Sequence, residues 1–130
     1  MKITDVTTTV MFYPHTRPIQ DATMPTPRQD LGGRSQLFVH IHTDEGIEGN
    51  CLVGAFRGGG HPHFNPILKV LKPELIGRDP AEREWLWNRL RLLTSRRGIN
   101  NSNWAPVDVA LWDIAGKAAQ APIYKLLGTQ

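Results

Sequence analysis

The stretch Asn103–Gly128, NWAPVDVALWDIAGKAAQAPIYKLLG, constrains the fold more than any other part of this 130-residue chain. Val107, Leu111, Ile114 and Ala118 recur at spacings of four, three and four, which puts them on one face of a helix. Asp108, Trp112, Ala115 and Ala119 form a second stripe beside it. The combined face is wider than a lone surface helix needs, so the helix should contact two partners. Pro106 belongs in a first turn, which places the helix start near Ser102 or Asn103, both good capping residues. Asp113 stands four residues before Lys117, a favourable pair of roughly 0.3–0.5 kcal/mol. Pro122 opens a last short turn, and Gly128 after Leu126 and Leu127 is placed to cap it.

Upstream of that helix the periodicity changes from helical to alternating. Lys2–Tyr13 is rich in Thr, Val, Phe and Tyr, with Val6, Thr8, Val10 and Phe12 on one face of a strand. Gln36–Thr43 alternates Leu37, Val39 and Ile41 against Phe38, His40 and His42. Asp44-Glu45-Gly46 is a hairpin turn in which Gly46 supplies the positive φ of a tight reversal, and Ile47–Val53 returns as a third strand. A three-stranded antiparallel meander follows. Pro66–Leu75 should be helical and broken near Pro73. The next helix is marked by Asp79 as N-cap, Pro80 at its first position and Glu82 in the capping-box position, and it ends at Gly98. Leu86, Leu90 and Leu93 line one side of it, with Trp85 and Leu92 alongside. Trp85, Trp87, Trp104 and Trp112 are read as core or interface packing. The fold class is α+β: an antiparallel sheet followed by a small helical bundle in a single domain, residues 1–130.

Two segments resist a regular assignment. Pro14–Ser35 holds four prolines and Gly32-Gly33 without periodicity, and a loop this long inside a compact domain needs a task of its own. It is either a surface excursion or a lid, and the lid is favoured because His15, Arg17, Arg28 and Arg34 offer donors to an anionic ligand. Gly54–Pro66 contains Gly58-Gly59-Gly60 together with Arg57, His61 and His63. His61-x-His63 lacks a third ligand at a useful spacing and reads as solvated histidines or as part of a second specificity loop. His40 and His42 could pinch a metal, but a half-exposed sheet face is the simpler reading.

The order of residues in the organising stretch also carries a resemblance. Asp108-x-Ala110-Leu111-Trp112-Asp113-x-x-Gly116-Lys117, then Pro122 and Leu126-Leu127-Gly128, resembles the end of the N-terminal capping domain in the mandelate racemase and muconate lactonizing branch of the enolase superfamily. The strings TDEGIEG, Thr43–Gly49, and LIGRDPAERE, Leu75–Glu84, resemble that domain's central hairpin and helical lead-in. The resemblance runs from MKITDV to LLG and covers only the front third of such an enzyme. It implies a capping domain that covers a (β/α)₈ barrel and selects substrate through its two loops. Members abstract a proton α to a carboxylate and stabilise the enediolate on Mg²⁺, with the metal ligands and the base on barrel strands. A barrel needs about 250 residues. The chain is thus expected to be a piece or truncated product that binds no metal or other cofactor, carries no catalytic residue and is inactive alone. Mg²⁺ is expected only in the parent's barrel. Asp108 and Asp113 lie about 140° apart around their helix and are read as structural, Asp113 orienting neighbouring donors.

The substrate-binding candidates are His15, Arg17, Arg57 and His61, which suit a small hydroxylated carboxylate. An acid-sugar dehydratase is the favoured parent activity, with a racemase or lactonizing enzyme as alternatives. A different class of function, a non-catalytic binding or self-association module, follows from the apolar surface that a missing barrel would uncover; a homo-oligomer burying the second stripe of the Asn103–Gln120 helix is expected. A net charge of +3 without interleaved basic and aromatic residues argues against nucleic acid. No apolar run reaches the length of a membrane span and the N-terminus has no signal-peptide core, so no membrane partner is expected. The single Cys51, read as a buried inert thiol, fits a reducing cytoplasm. Nucleotide, P-loop, nucleophile-elbow and zinc-protease motifs are absent from the sequence.

Overall fold

The computed structural model describes residues 1–14, 19–21, 24–28, 33–53, 65–97 and 99–128, with side chains placed for residues 1–14, 35–53, 65–93 and 99–128. Five strands and five helical segments follow one another: β1 (Ile3–Pro14), β2 (Ile19–Asp21), β3 (Met24–Arg28), β4 (Gly33–Thr43), β5 (Glu48–Val53), α1 (Ile67–Leu71), α2 (Lys72–Leu75), α3 (Arg83–Arg97), α4 (Asn101–Ala118) and α5 (Ile123–Leu126). The main sheet has the order β1-β4-β5 and is antiparallel throughout. The expected meander is present. Part of Pro14–Ser35, read from sequence as a loop, is a second two-stranded sheet of β2 and β3. Its prolines hid the strands, since strands so short carry too few residues to show alternation.

The alternation in β1 and β4 sets the sheet's two faces. Val6, Leu37, Val39 and Ile41 point inward and are buried, with Val53 of β5 beside them. A register shift between Ile3 and Asp5 inserts one extra residue in β1, which lets both Ile3 and Val6 face the core. The β4–β5 hairpin closes as expected, with Gly46 at φ +78° and Gly46 N–H donating to the Thr43 carbonyl at 3.2 Å. Leu86, Leu90, Leu93, Val107, Leu111 and Ile114 complete one continuous core with Ile67, Leu71 and Leu75. Ala110 joins them, while Ala118, placed on this face by periodicity, is exposed at the end of α4. Trp85 and Leu92 are exposed as well.

The helices depart from expectation at their starts. Asn100 caps α4, accepting from Asn103 N–H at 3.1 Å while Asn103 Oδ1 accepts from Asn100 N–H at 3.0 Å. This reciprocal pair begins the helix before the position that Pro106 alone indicated, and Pro106 falls in the second turn, leaving the Ser102 carbonyl without its usual donor. Asp79 caps a turn rather than α3 itself: its Oδ1 accepts from Ala81 N–H at 2.9 Å, and Glu82 N–H returns to the Asp79 carbonyl at 3.0 Å. The helix does not break near Pro73. It widens instead, α1 being wound as a π-helix with Lys72 N–H bonded to the Ile67 carbonyl. The wider winding relieves the clash that a proline ring makes with the carbonyl four residues back. At the C-terminal end Gly128 has φ +81° and donates to the Lys125 carbonyl, as a terminating glycine does.

Candidate functional site

The sheet's topology brings the strand ends that lead into Pro14–Ser35 and Gly54–Pro66 to one end of the sheet. β1 runs toward Pro14, β4 returns from Gly33, and β5 runs parallel to β1 toward Val53. Val10, Leu37 and Val53 share one cross-strand row, so the strands that lead into the two segments stand about 10 Å apart, two interstrand spacings. His15 follows directly on β1, and Arg57 and His61 follow on β5. The four substrate-binding candidates His15, Arg17, Arg57 and His61 themselves lie outside the described residues, as does His63. What the described residues supply is the platform: Val10, Phe12 and Tyr13 of β1 and Leu52 of β5 are exposed apolar side chains at this end, Phe12 by 62%.

The platform is fixed by α4. Gly49 lies so close to this helix that a Cβ in its place would sit 2.2 Å from the Ala110 carbonyl oxygen and 2.6 Å from Ile114 Cγ1. The missing side chain, rather than backbone freedom, is what this glycine contributes. One residue on, Asp113 Oδ2 accepts from Asn50 N–H at 2.8 Å and from Lys117 Nζ at 2.7 Å, while Lys117 Nζ also donates to the Glu48 carbonyl at 2.7 Å. Asp113 thus orients neighbouring donors, as its place in the sequence indicated. Cys51 is partly buried in this strand, and burial, with Asp113 nearby, pushes its thiol above the usual range. That is the behaviour of an inert thiol.

On the sheet's outer face the histidines have structural partners. Glu48 lies between them: its Oε1 is 3.2 Å from His40 Nδ1 and its Oε2 is 3.1 Å from His42 Nδ1. His40 Nδ1 also meets Asn50 Oδ1 at 2.7 Å, and the two Nε2 atoms meet Thr9 and Thr7 hydroxyls at 3.2 and 2.9 Å. Burial opposes ionisation of Glu48, but the bonds from His40 and Asn50 and the charge of both imidazoles outweigh it and hold its carboxyl below the usual value. Periodicity alone located this ladder; the Glu48 bridge needed the β4–β5 register. Among the described residues no group of three or more His, Cys, Asp or Glu side chains is arranged to hold a metal ion.

A cleft of about 520 Å³ opens between the start of α3 and the second stripe of α4, lined by Ala81, Arg83, Glu84, Trp87, Asp108 and Trp112. The Arg83 guanidinium lies 4.3 Å from the Trp112 ring centre, and Trp87 meets Trp104 edge to face at 6.0 Å. Burial raises the Asp108 carboxyl above its ordinary value, with Arg83 opposing the shift. Of the four tryptophans read from sequence as core or interface packing, Trp104 packs against the core, Trp112 is half-buried and Trp85 and Trp87 are exposed; the arginine stacking is an addition that no spacing foretold. Asp108 lines the cleft with Arg83, and Asp113 is bonded to Asn50 of β5, so the two carboxylates serve different elements of the fold.

The chain resembles known proteins in sequence and in fold. The D-galactonate dehydratase of Verminephrobacter eiseniae is 41% identical over 95 residues, 71% of this chain and 24% of its own. The D-galactarolactone cycloisomerase of Agrobacterium fabrum is 34% identical over 134 aligned residues, 98% of this chain and 32% of its own. The crystal structure of L-talarate dehydratase from Polaromonas sp. JS666, complexed with Mg and L-glucarate, superposes with a TM-score of 0.78 at 32% identity, over 99% of this chain and 35% of that one. The chain thus spans about a third or less of the length of these relatives. Residues 5–128 match the family described as mandelate racemase / muconate lactonizing enzyme, N-terminal domain. With its three-stranded antiparallel sheet and following helices, this chain belongs to that family of enolase-superfamily N-terminal domains.

Proposed function

We propose that this domain caps the barrel of a Mg²⁺-dependent enolase-superfamily enzyme and selects its substrate, and that the reaction is dehydration of an acid sugar. One observation supports the reading: β1 and β5, the strands that lead into the segments carrying His15, Arg17, Arg57 and His61, run toward the same end of the sheet. Two segments rooted about 10 Å apart can close over one small hydroxylated carboxylate and exclude water from it. The relatives named as acid-sugar dehydratases support this choice over a racemase or lactonizing activity.

In this reading the chain's own groups bind and enclose, and the chemistry belongs elsewhere. Arginine guanidinium groups pair with a carboxylate through two parallel N–H donors, and the histidines bond to substrate hydroxyls. A Mg²⁺ ion held by the parent's barrel would supply the electrophilic charge for proton abstraction, while in this chain Asp113 holds Asn50 and Lys117 and Asp108 lies part-buried beside Arg83. The domain alone turns over nothing. No helix among the described residues is long and apolar enough to cross a membrane.

The test is a chimera. Residues 1–128 replace the matching segment of the Verminephrobacter D-galactonate dehydratase, and formation of the 2-keto-3-deoxy acid is followed across a panel of acid sugars. The expected result is a Mg²⁺-dependent enzyme whose ratio of kcat/KM values between substrates differs from the host's, and reverts toward it when Arg17 and Arg57 are replaced by the host's residues. A substrate profile identical to the host's would refute the specificity role.

A further inference from the structure

The two edges of the main sheet are finished differently. In the central strand β4, residues that bond to β1 alternate with residues that bond to β5, so the outward-facing backbone groups of each edge strand follow from the register. On β5 the outward residues are Glu48, Asn50 and Leu52. Two of their groups are already taken, Asn50 N–H by Asp113 and the Glu48 carbonyl by Lys117. On β1 the outward residues after the register shift are Val6, Thr8, Val10 and Phe12. Ile3 bonds on that side to Gly77 and Arg78, and Val6 N–H is bonded at 2.8 Å by the Asp5 carboxylate, itself paired with Lys72. Beyond Val6 the edge pairs with no strand among the described residues.

The part of that edge beyond Val6 has an unusual sequence. Thr7–Tyr13, TTTVMFY, contains no charge, proline or glycine, only strand-favouring residues and Met11. Sheet proteins ordinarily protect such an edge with charge, proline or a bulge. Val10 and Phe12 are 40% and 62% exposed and lie on the face that continues the hydrophobic core.

We propose that Thr8–Phe12 of β1 pairs antiparallel with the same segment of a second copy of this chain, joining two three-stranded sheets into one six-stranded sheet. Val10 lies on the two-fold axis, and Thr8 faces Phe12 of the second copy. An uncharged run suits self-pairing, because an antiparallel two-fold brings no like charges together, and the nearest carboxylate, Asp5, is neutralised by Lys72. The interface is isologous and closes on itself. Growth of the sheet past two copies is blocked at the far edge, where Asp113 and Lys117 occupy the backbone groups of β5. The apolar side chains beside the edge add burial that hydrogen bonds alone would not supply. Within the second stripe of α4, Trp112 carries the Arg83 guanidinium.

Sedimentation velocity and amide exchange of the purified chain test this together. With rising concentration the chain should pass from monomer to dimer and no further. The Thr8, Val10 and Phe12 amides should gain protection in step, while those of Thr7 and Thr9, bonded to β4, are protected throughout. Val10→Pro removes one outward donor per copy and should weaken association on the order of tenfold or more. Val10→Lys keeps the donor but opposes two charges at the axis, and should do the same with unchanged circular dichroism. A monomer up to millimolar concentration would overturn the proposal. So would a dimer in which the three amides stay unprotected or which Val10→Lys leaves intact.

Discussion

The closeness of β5 to α4 makes Gly49→Ala the most informative single change in the fold. The added methyl carbon would meet the Ala110 carbonyl oxygen at 2.2 Å and Ile114 Cγ1 at 2.6 Å, against ordinary contacts of 3.4–4 Å. One of the two obstacles is helix backbone, so relief requires α4 to retreat from the sheet by about 1 Å rather than a side chain to rotate. Overpacking of this kind costs about 1–3 kcal/mol. The same retreat stretches the Asn50–Asp113 and Lys117–Glu48 bonds, now 2.8 and 2.7 Å, adding about 1–2 kcal/mol once discounted for their partial exposure. The sum, about 2–5 kcal/mol, is a large part of the 5–15 kcal/mol that a domain of this kind holds, and corresponds to roughly 7–18 °C in Tm. Urea unfolding followed by tryptophan fluorescence measures it as a fall in midpoint at constant slope. Gly116→Ala is the internal control: its Cβ would meet Ala121 O and Ile123 Cγ1 at 3.2 Å, and the gain in helix propensity of up to about 1 kcal/mol offsets that crowding. A loss under about 1 kcal/mol for Gly49→Ala, or an equal loss for both variants, would refute the claim that bare backbone contact sets the helix–sheet spacing.

Two further changes probe polar groups. Thr8 Oγ1 is buried with no hydrogen-bond partner, so Thr8→Val, nearly equal in shape, should leave stability unchanged or raise it by up to about 1–3 kcal/mol, read from the same urea midpoints. Asp108 has its folded-state pKa raised by burial, so the unfolded chain releases this proton first, and the stability lost through Asp108 grows as pH rises from the ordinary carboxylate value through the folded one. Asp108→Asn should therefore gain on the parent as pH rises above the ordinary carboxylate value of about 4, measured as a difference in midpoint. Glu48 and Asp5 run the other way: their depressed values add stability that is present above the ordinary carboxylate range and lost as pH falls through the folded values, in parent and variant alike. A difference that shrinks with rising pH would contradict the assignment for Asp108.

Much of this architecture could be read from residue order because single side-chain types carried it. The alternation of Leu37, Val39 and Ile41 gave β4 and its buried face, Gly46 gave the hairpin, and Val107, Leu111 and Ile114 gave the inner face of α4. Where two residues acted as a unit, order alone misled. The Asn100–Asn103 pair moved the start of α4 past what Pro106 implied, and Pro73 widened a helix it was expected to end. Long-range partners such as Glu48 between His40 and His42, or Arg83 on Trp112, depend on strand register and helix packing and have no local signature. The candidate substrate-binding residues rest on chemistry and family resemblance; what the fold adds is that the strands leading into their segments point to one end.

The central claim is that this domain covers a catalytic barrel and has no chemistry of its own. Its most direct test is keto-acid formation from acid sugars, in the presence of Mg²⁺, by the purified 130-residue chain. The account predicts no turnover above the buffer rate at any pH or chain concentration. Sustained turnover that follows the chain through purification and vanishes with its unfolding in urea would contradict it.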